Sequence, residues 1–102
     1  MDSKQVFGRI NRFVKVIVHE YDPEKIILYG SYAKGTNHPD SDIDIAVVVR
    51  EVNGSFLDKE AKLYKIRRDI DINIEPILLE SRNDSSGFLK HILSYGEILY
   101  SK

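Results

Sequence analysis

The sequence predicts a small α/β (α+β) domain, in which a mixed β-sheet of three or four strands carries helices packed on one face. Stretches with helical periodicity alternate along the chain with short β-branched runs, the pattern of a sheet covered by helices. The length of 102 residues suits one domain with its own core. No repeat, low-complexity segment or internal linker divides the chain, so residues 1–102 are predicted to form a single domain.

The composition narrows the classes of function. A net charge of −1 lacks the basic excess that a broad nucleic-acid surface requires. The absence of cysteine excludes disulfides, thiol catalysis and cysteine-bound zinc. The sequence shows no signal peptide and no apolar window of membrane-spanning length. We therefore expect a cytoplasmic protein that binds neither membranes nor nucleic acid directly.

The first part of the chain predicts a helix followed by a central strand. Apolar residues recur at steps of three and four over residues 3–20, which indicates one buried helix face. Asp2 or Ser3 is the candidate N-cap, and Asp22 ends the helix because a residue before proline avoids the α region. The short apolar run at residues 26–29 then predicts a buried strand.

The middle of the chain predicts a further helix and strand beyond a strand that begins near residue 42. Ser55 is the expected N-cap of a helix over residues 56–68. Residues 69–75 alternate strictly between polar and apolar side chains, which predicts a half-buried strand, and the apolar residues 77–79 continue it. Because proline cannot donate to a ladder, Pro76 places this strand at an edge of the sheet or at a bulge.

The last part of the chain predicts a short helix and a terminal apolar segment. The helix begins near Phe88 and is closed by Gly96, and residues 98–100 either pack on the sheet or pair with it. With all helices on one face, the other face of the sheet is expected to remain open and to carry the acidic residues.

Residues 30–49, GSYAKGTNHPDSDIDIAVVV, contain the groups that indicate chemistry. Gly30 permits close approach of a ligand to the backbone, and the Ser31 hydroxyl with the amides of the following helical turn suits phosphate. Asp42 and Asp44 lie two residues apart in a predicted strand, so their carboxylates share one face. Because like charges repel, we expect a cation between them. Oxygen ligands suit Mg²⁺, which commonly takes carboxylates together with substrate phosphates.

The alternating segment supplies a candidate third carboxylate. Asp71 and Glu75 point to one face of this predicted strand, and the strand is expected to lie near Asp42 and Asp44. Three carboxylates suit two metal ions roughly 4 Å apart, which clamp the attacking and leaving oxygens of an in-line displacement. Phosphoryl and nucleotidyl transfer require mainly positioning and charge neutralisation. Lys34 is a further candidate, as a point charge for phosphate.

The stretch GSYAKGTNHPDSDIDIAV resembles the signature of the DNA polymerase β-like nucleotidyltransferase superfamily. In that family a Gly-Ser turn is followed, after roughly ten residues, by Asp-x-Asp. The later IDINIEP is similar to the family's third-carboxylate strand, and the resemblance extends from Lys25 to Glu80. It implies a polymerase β palm-like fold. The site residues that it implies are Gly30 and Ser31 for the triphosphate and Asp42, Asp44 and Asp71 for Mg²⁺ and catalysis, with Asp69 and Glu75 as competing third carboxylates.

Within this superfamily, the small size and the lack of a second domain resemble the minimal nucleotidyltransferases that accompany a HEPN toxin. This resemblance implies an antitoxin that transfers AMP from ATP to a tyrosine of the toxin, with two Mg²⁺ ions. One alternative is a module that neutralises a HEPN partner by binding alone, which the intact motifs disfavour. Another is a small-molecule nucleotidyltransferase, which usually needs a second domain to form the acceptor pocket.

Overall fold

Helices and strands alternate along the chain in the computed structural model, which describes residues 3–102. The elements are α1 (Ser3–Tyr21), β1 (Lys25–Tyr29), α2 (Ser31–Lys34), β2 (Ile43–Val49), α3 (Phe56–Arg68), β3 (Ile74–Glu80), α4 (Phe88–Tyr95) and β4 (Glu97–Ser101). The predicted α/β (α+β) class is confirmed. Of the two N-cap candidates for α1, Asp2 lies outside the described residues.

The four strands form one mixed sheet in the order β3-β2-β1-β4. β1 is antiparallel to both β2 and β4, whereas β2 and β3 are parallel. The apolar runs of β1 and β2 occupy the centre, as expected for strands that are buried on both sides. β3 lies at an edge, which agrees with the position that Pro76 predicted. The terminal apolar segment pairs with β1 as β4.

Helices α1 and α3 cover the first face of the sheet. Ile10, Phe13 and Ile17 of α1 are fully buried, as is Leu63 of α3. They pack against the inward side chains of the sheet on this face, which are Ile26, Leu28, Ile43, Ile45, Val47, Ile74 and Leu78. The apolar periodicity of residues 3–20 therefore corresponds to a buried helix face, as predicted.

The prediction that the helices pack on one face only is wrong, because α4 covers part of the second face. Leu89 and Ile92 of α4 pack on Ile27, Ala46 and Val48, which alternate along β1 and β2 with the residues of the first core. Both central strands are apolar on both sides, so the second face also has to be removed from water. The acidic residues occupy the part of this face that α4 leaves uncovered.

The predicted strand over residues 69–75 is also wrong in its boundary, since β3 begins at Ile74. Residues 69–73 form turns instead, and the backbone N–H of Asp71 donates to the carbonyl of Arg67 over 2.8 Å. The Asp71 carboxylate accepts a hydrogen bond from the Asn73 N–H over 2.9 Å. Such local bonds compete with a strand ladder, so alternation in the sequence here does not produce a strand.

The predicted start of α3 is confirmed in detail. The Asp58 N–H donates to the Ser55 hydroxyl over 3.2 Å, which satisfies one of the free amides at the helix N-terminus.

Among residues 3–102, no helix combines the length and the apolar character that crossing a membrane requires.

Candidate active site

The Gly30-Ser31 turn joins β1 to the one-turn helix α2. Gly30 has φ 72° and ψ −152°, a conformation open essentially to glycine alone. A Cβ atom at this position would lie 2.1 Å from the Oδ2 atom of Asp44. Gly35, with φ 73°, ends α2 in the left-handed region, and its N–H donates to the Ser31 carbonyl. Both the backbone angle and the contact with Asp44 therefore require glycine at position 30.

Asp44 and Glu75 lie side by side on the second face of the sheet. They are register partners in the parallel pair β2–β3. Each alternates with residues of the first core, namely Ile43 and Ile45 in one strand and Ile74 in the other. Asp42 directly precedes β2 and lies within electrostatic range of Asp44. The structure thus brings three carboxylates to the end of two neighbouring strands, beside the glycine turn.

The three carboxylates place negative charges close together at one point of the sheet. The pKa of Asp44 is raised above its ordinary value, first by burial and then by the negative charges of Asp42 and Glu75. No ion pair recorded among residues 3–102 involves any of these three carboxylates. A site of this kind favours a cation that is brought in from outside the chain.

Asp71, the predicted third carboxylate, does not join this cluster. Its side chain is 4% exposed, and its Oδ2 atom lies 3.2 Å from the Nη1 atom of Arg9 on α1. It borders a small cavity together with Val6 and Ile43, residues of the first core. The structure thus places Asp71 apart from Asp42 and Asp44, with its charge paired to Arg9 near α1. The alternative Glu75 holds the position beside Asp44.

Asp69, the remaining alternative for the third carboxylate, is the C-cap residue of α3.

Asp71 and its neighbours support the start of β2. The Asp71 carboxylate accepts a hydrogen bond from the Asn73 N–H, and the Asn73 carbonyl accepts a 2.8 Å hydrogen bond from the Ile43 N–H. Ile43 lies between Asp42 and Asp44 in the sequence, so this chain of contacts fixes the backbone that carries both carboxylates.

The donor set suits Mg²⁺ that arrives with a nucleotide. Within residues 3–102, no group of three acidic, histidine or cysteine side chains is close enough to hold a metal ion by itself. Protein-bound Mg²⁺, however, usually takes one or two carboxylates and completes its octahedron with waters and substrate phosphates. Asp42 and Asp44 meet this requirement beside a turn that suits phosphate, and Glu75 is the adjacent third carboxylate.

Tyr95 lies at the Gly30 turn, although the sequence did not point to it as a candidate. Its hydroxyl oxygen accepts a 3.0 Å hydrogen bond from the Gly30 N–H. The Nζ atom of Lys34 lies 4.9 Å from the centre of its ring, within the range of a cation–π contact. The one signal in the sequence is that Tyr95 directly precedes Gly96, which ends α4.

Comparison with known proteins agrees with this geometry. Residues 11–102 match the family described as Polymerase beta, Nucleotidyltransferase. The chain belongs to this family. One relative is MJ1305 of Methanocaldococcus jannaschii, which is named as a candidate protein adenylyltransferase. It is 32% identical to the present chain over 93 residues. That match covers 81% of the present chain and 60% of MJ1305, so the chain spans less than two thirds of this relative.

Two solved structures share the nucleotidyltransferase fold. A toxin–antitoxin complex with AMP-PNP contains a chain with 25% identity and a TM-score of 0.65, matched over 93% of the present chain and 73% of its own length. The complex of a tri-AMPylated Shewanella oneidensis HEPN toxin with an MNT antitoxin contains a chain with 22% identity and a TM-score of 0.64. That match covers 96% of the present chain and 73% of the other chain. The polymerase β-like nucleotidyltransferase fold predicted from the motif is thereby confirmed.

Proposed function

We propose that residues 1–102 form a Mg²⁺-dependent nucleotidyltransferase domain that transfers AMP from ATP to a hydroxyl of a HEPN-type toxin, on a tyrosine side chain, and so acts as its antitoxin. The observation that carries this proposal is the contact between the glycine turn and Asp44 within a cluster of three carboxylates. A phosphate-binding turn and an acidic cluster in contact are the two halves of a site for metal-bound triphosphate.

Each half of the site has a defined task in this reaction. Ser31 and Lys34 bind and orient the triphosphate, and Gly30 allows its close approach to the backbone. Asp42 and Asp44 would hold Mg²⁺, two ions with the aid of Glu75. Mg²⁺ held by these residues would neutralise charge that develops on the phosphates. The acceptor oxygen forms a bond to the α-phosphorus as the bond to pyrophosphate breaks, and pyrophosphate leaves. We assign to Glu75 the activation of the acceptor hydroxyl, within the catalytic role that the family resemblance implies for Asp71.

The comparisons support the nucleotide and the class of acceptor. The relative MJ1305 is named for adenylyl transfer to protein, and it is 32% identical to the present chain. The toxin–antitoxin complex at 25% identity contains AMP-PNP, an analogue of ATP. The choice of a HEPN protein as the partner follows from the resemblance to minimal nucleotidyltransferases and from this toxin–antitoxin likeness.

The first test measures transfer of label to the partner protein from ATP that is labelled at its α-phosphate. The protein is incubated with Mg²⁺ and, as acceptor, the product of the adjacent reading frame, and labelled protein is separated and counted. We expect label on a tyrosine of the partner with the wild type and none with Asp42→Asn, because that variant loses a metal ligand. A wild type that protects cells from the toxin without transferring label would contradict the proposal and support neutralisation by binding alone.

The third carboxylate is tested by a pair of variants with the same chemical change. Glu75→Gln is expected to lower the rate of transfer by about 10²-fold or more, because it removes a charge beside Asp44. Asp71→Asn is expected to keep most of the rate but to lower stability by about 2 kcal/mol, because it weakens a buried charged contact with Arg9. Rates and chemical denaturation of both variants, measured side by side, check this assignment. The reverse ranking of the two rates would return the third position to Asp71.

A further inference from the structure

The C-terminal end of α4 is packed unusually close to β1. A Cβ atom on Gly96 would lie 2.6 Å from the carbonyl oxygen of Ile92 and 2.7 Å from the Cγ2 atom of Ile27. Such distances are excluded for any residue but glycine without a shift of the backbone. Gly96 therefore permits the approach that delivers its neighbour Tyr95 to the Gly30 turn.

The hydroxyl of Tyr95 retains an unused donor at this turn. A phenolic oxygen can accept hydrogen bonds and donate one of its own. Here it accepts from the Gly30 N–H, and no hydrogen bond donated by this hydroxyl is recorded among the described residues 3–102. The Gly30 amide is thus occupied, so a phosphate at this end of the turn meets the tyrosine O–H in its place.

The charges around the turn make such a donor useful. A triphosphate that binds here approaches the carboxylates of Asp42 and Asp44, which repel it. Positive charge on the protein side comes from Lys34, whose Nζ atom lies 4.9 Å from the centre of the Tyr95 ring. The ring thus limits the positions of the lysine, and the hydroxyl lies at the same edge of the site.

We propose that Tyr95 is a nucleotide-binding residue, whose hydroxyl accepts from the Gly30 N–H and donates to a phosphate oxygen of ATP while its ring positions Lys34. This proposal rests on the function proposed above and adds a residue from α4 to its binding site. A purely structural tyrosine would instead anchor α4 to the turn without touching the nucleotide.

Tyr95→Phe separates these two roles, because it removes the hydroxyl and keeps the ring beside Lys34. We expect the KM for ATP to rise about tenfold, the usual effect of losing one hydrogen bond to a charged group, with kcat changed less than about twofold. The affinity for AMP-PNP with Mg²⁺, measured by calorimetry on the complex with the partner, should fall by a similar factor. Tyr100→Phe is the matched control, since no hydrogen bond of this β4 tyrosine's hydroxyl is recorded among residues 3–102. Loss of that hydroxyl should leave both values unchanged.

Two results would overturn the role of Tyr95. One is an unchanged or lowered KM, and the other is a loss of thermal stability in Tyr95→Phe that accounts for the whole change in activity. If the wild type transfers no label, the proposed function fails, yet calorimetry with AMP-PNP still measures whether Tyr95 contributes to binding. Equal affinities of the wild type and Tyr95→Phe in that measurement would contradict the inference by themselves.

Discussion

Asp44→Asn is expected to lower adenylyl transfer by on the order of 10³-fold while raising the thermal stability of the nucleotide-free protein. The loss of activity follows because an amide cannot replace a carboxylate as a ligand for Mg²⁺ beside the phosphates. The gain in stability follows because the Asp44 charge is buried and faces the charges of Asp42 and Glu75. One substitution therefore changes function and stability in opposite directions.

The stability effect of Asp44→Asn has a predicted dependence on pH. Because the folded protein raises the pKa of Asp44 above its unfolded value, the folded state binds this proton more tightly. The contribution of Asp44 to stability is therefore largest below the unfolded pKa and is lost as pH rises through the folded pKa. The advantage of the variant in thermal unfolding should be large near neutral pH and should shrink in acid, below the ordinary carboxyl pKa of about 3.9.

Asp40→Asn is the control for this measurement, because Asp40 is an exposed carboxylate in the loop that leads to the cluster. It should change the unfolding temperature little at any pH. Added Mg²⁺ with AMP-PNP should stabilise the wild type more than Asp44→Asn, since only the wild type keeps the complete ligand set. A variant that unfolds at a lower temperature than the wild type at neutral pH would show that the cluster is not under electrostatic strain.

The part of the site that the sequence predicted is held together by short-range geometry. Gly30 and Asp44 are separated by fourteen positions, and the antiparallel pair β1–β2 sets Tyr29 opposite Asp44 in register. The segment that connects β1 to β2 begins and ends at neighbouring strands, so its two ends lie close together. A local motif is therefore sufficient to place the glycine beside the carboxylate. The boundaries of α1 and α3 were predictable for the same reason, because caps and periodicity are local properties.

The proximity of Glu75, rather than Asp71, to Asp44 could not be predicted from the sequence, because it depends on contacts between distant residues. In a regular strand over residues 69–75, Asp71 and Glu75 have the same parity and are equally suitable. What separates them is the 3.2 Å contact of Asp71 with Arg9, 62 residues away, and the parallel register that sets Glu75 beside Asp44. Neither contact can be predicted from the local alternation of polar and apolar side chains.

The place of α4 was missed for a related reason. The periodicity of residues 88–95 predicts that the helix has an apolar face but does not say which side of the sheet it covers. The deciding features are the apolar second sides of β1 and β2, through Ile27, Ala46 and Val48. Once α4 is on that side, Tyr95 falls beside Gly30, 65 residues earlier in the chain. One error in the predicted layering thus concealed the contact between Tyr95 and the Gly30 turn.

Gly30→Ala is expected to have the second large effect, with a fall in the free energy of unfolding on the order of 3 kcal/mol and loss of transfer. Two causes act together at this position. The backbone at φ 72° and ψ −152° is strained for any residue with a Cβ atom, and that atom would lie 2.1 Å from the Asp44 carboxylate. Displacement of Asp44 removes a metal ligand even in molecules that still fold.

Gly54→Ala and a double-mutant cycle separate the two causes of the Gly30→Ala effect. Gly54 also has a positive φ, 92°, but a Cβ atom there meets nothing within 4 Å, so this control measures backbone strain without a clash. Combining Gly30→Ala with Asp44→Ala removes the carboxylate that the new methyl group would strike. Because the two sites are in contact, the double variant should be more stable than the sum of the single effects predicts, by about 1 kcal/mol or more in chemical denaturation. Strict additivity would mean that the glycine serves the turn alone, and that the turn and the carboxylate are not one site.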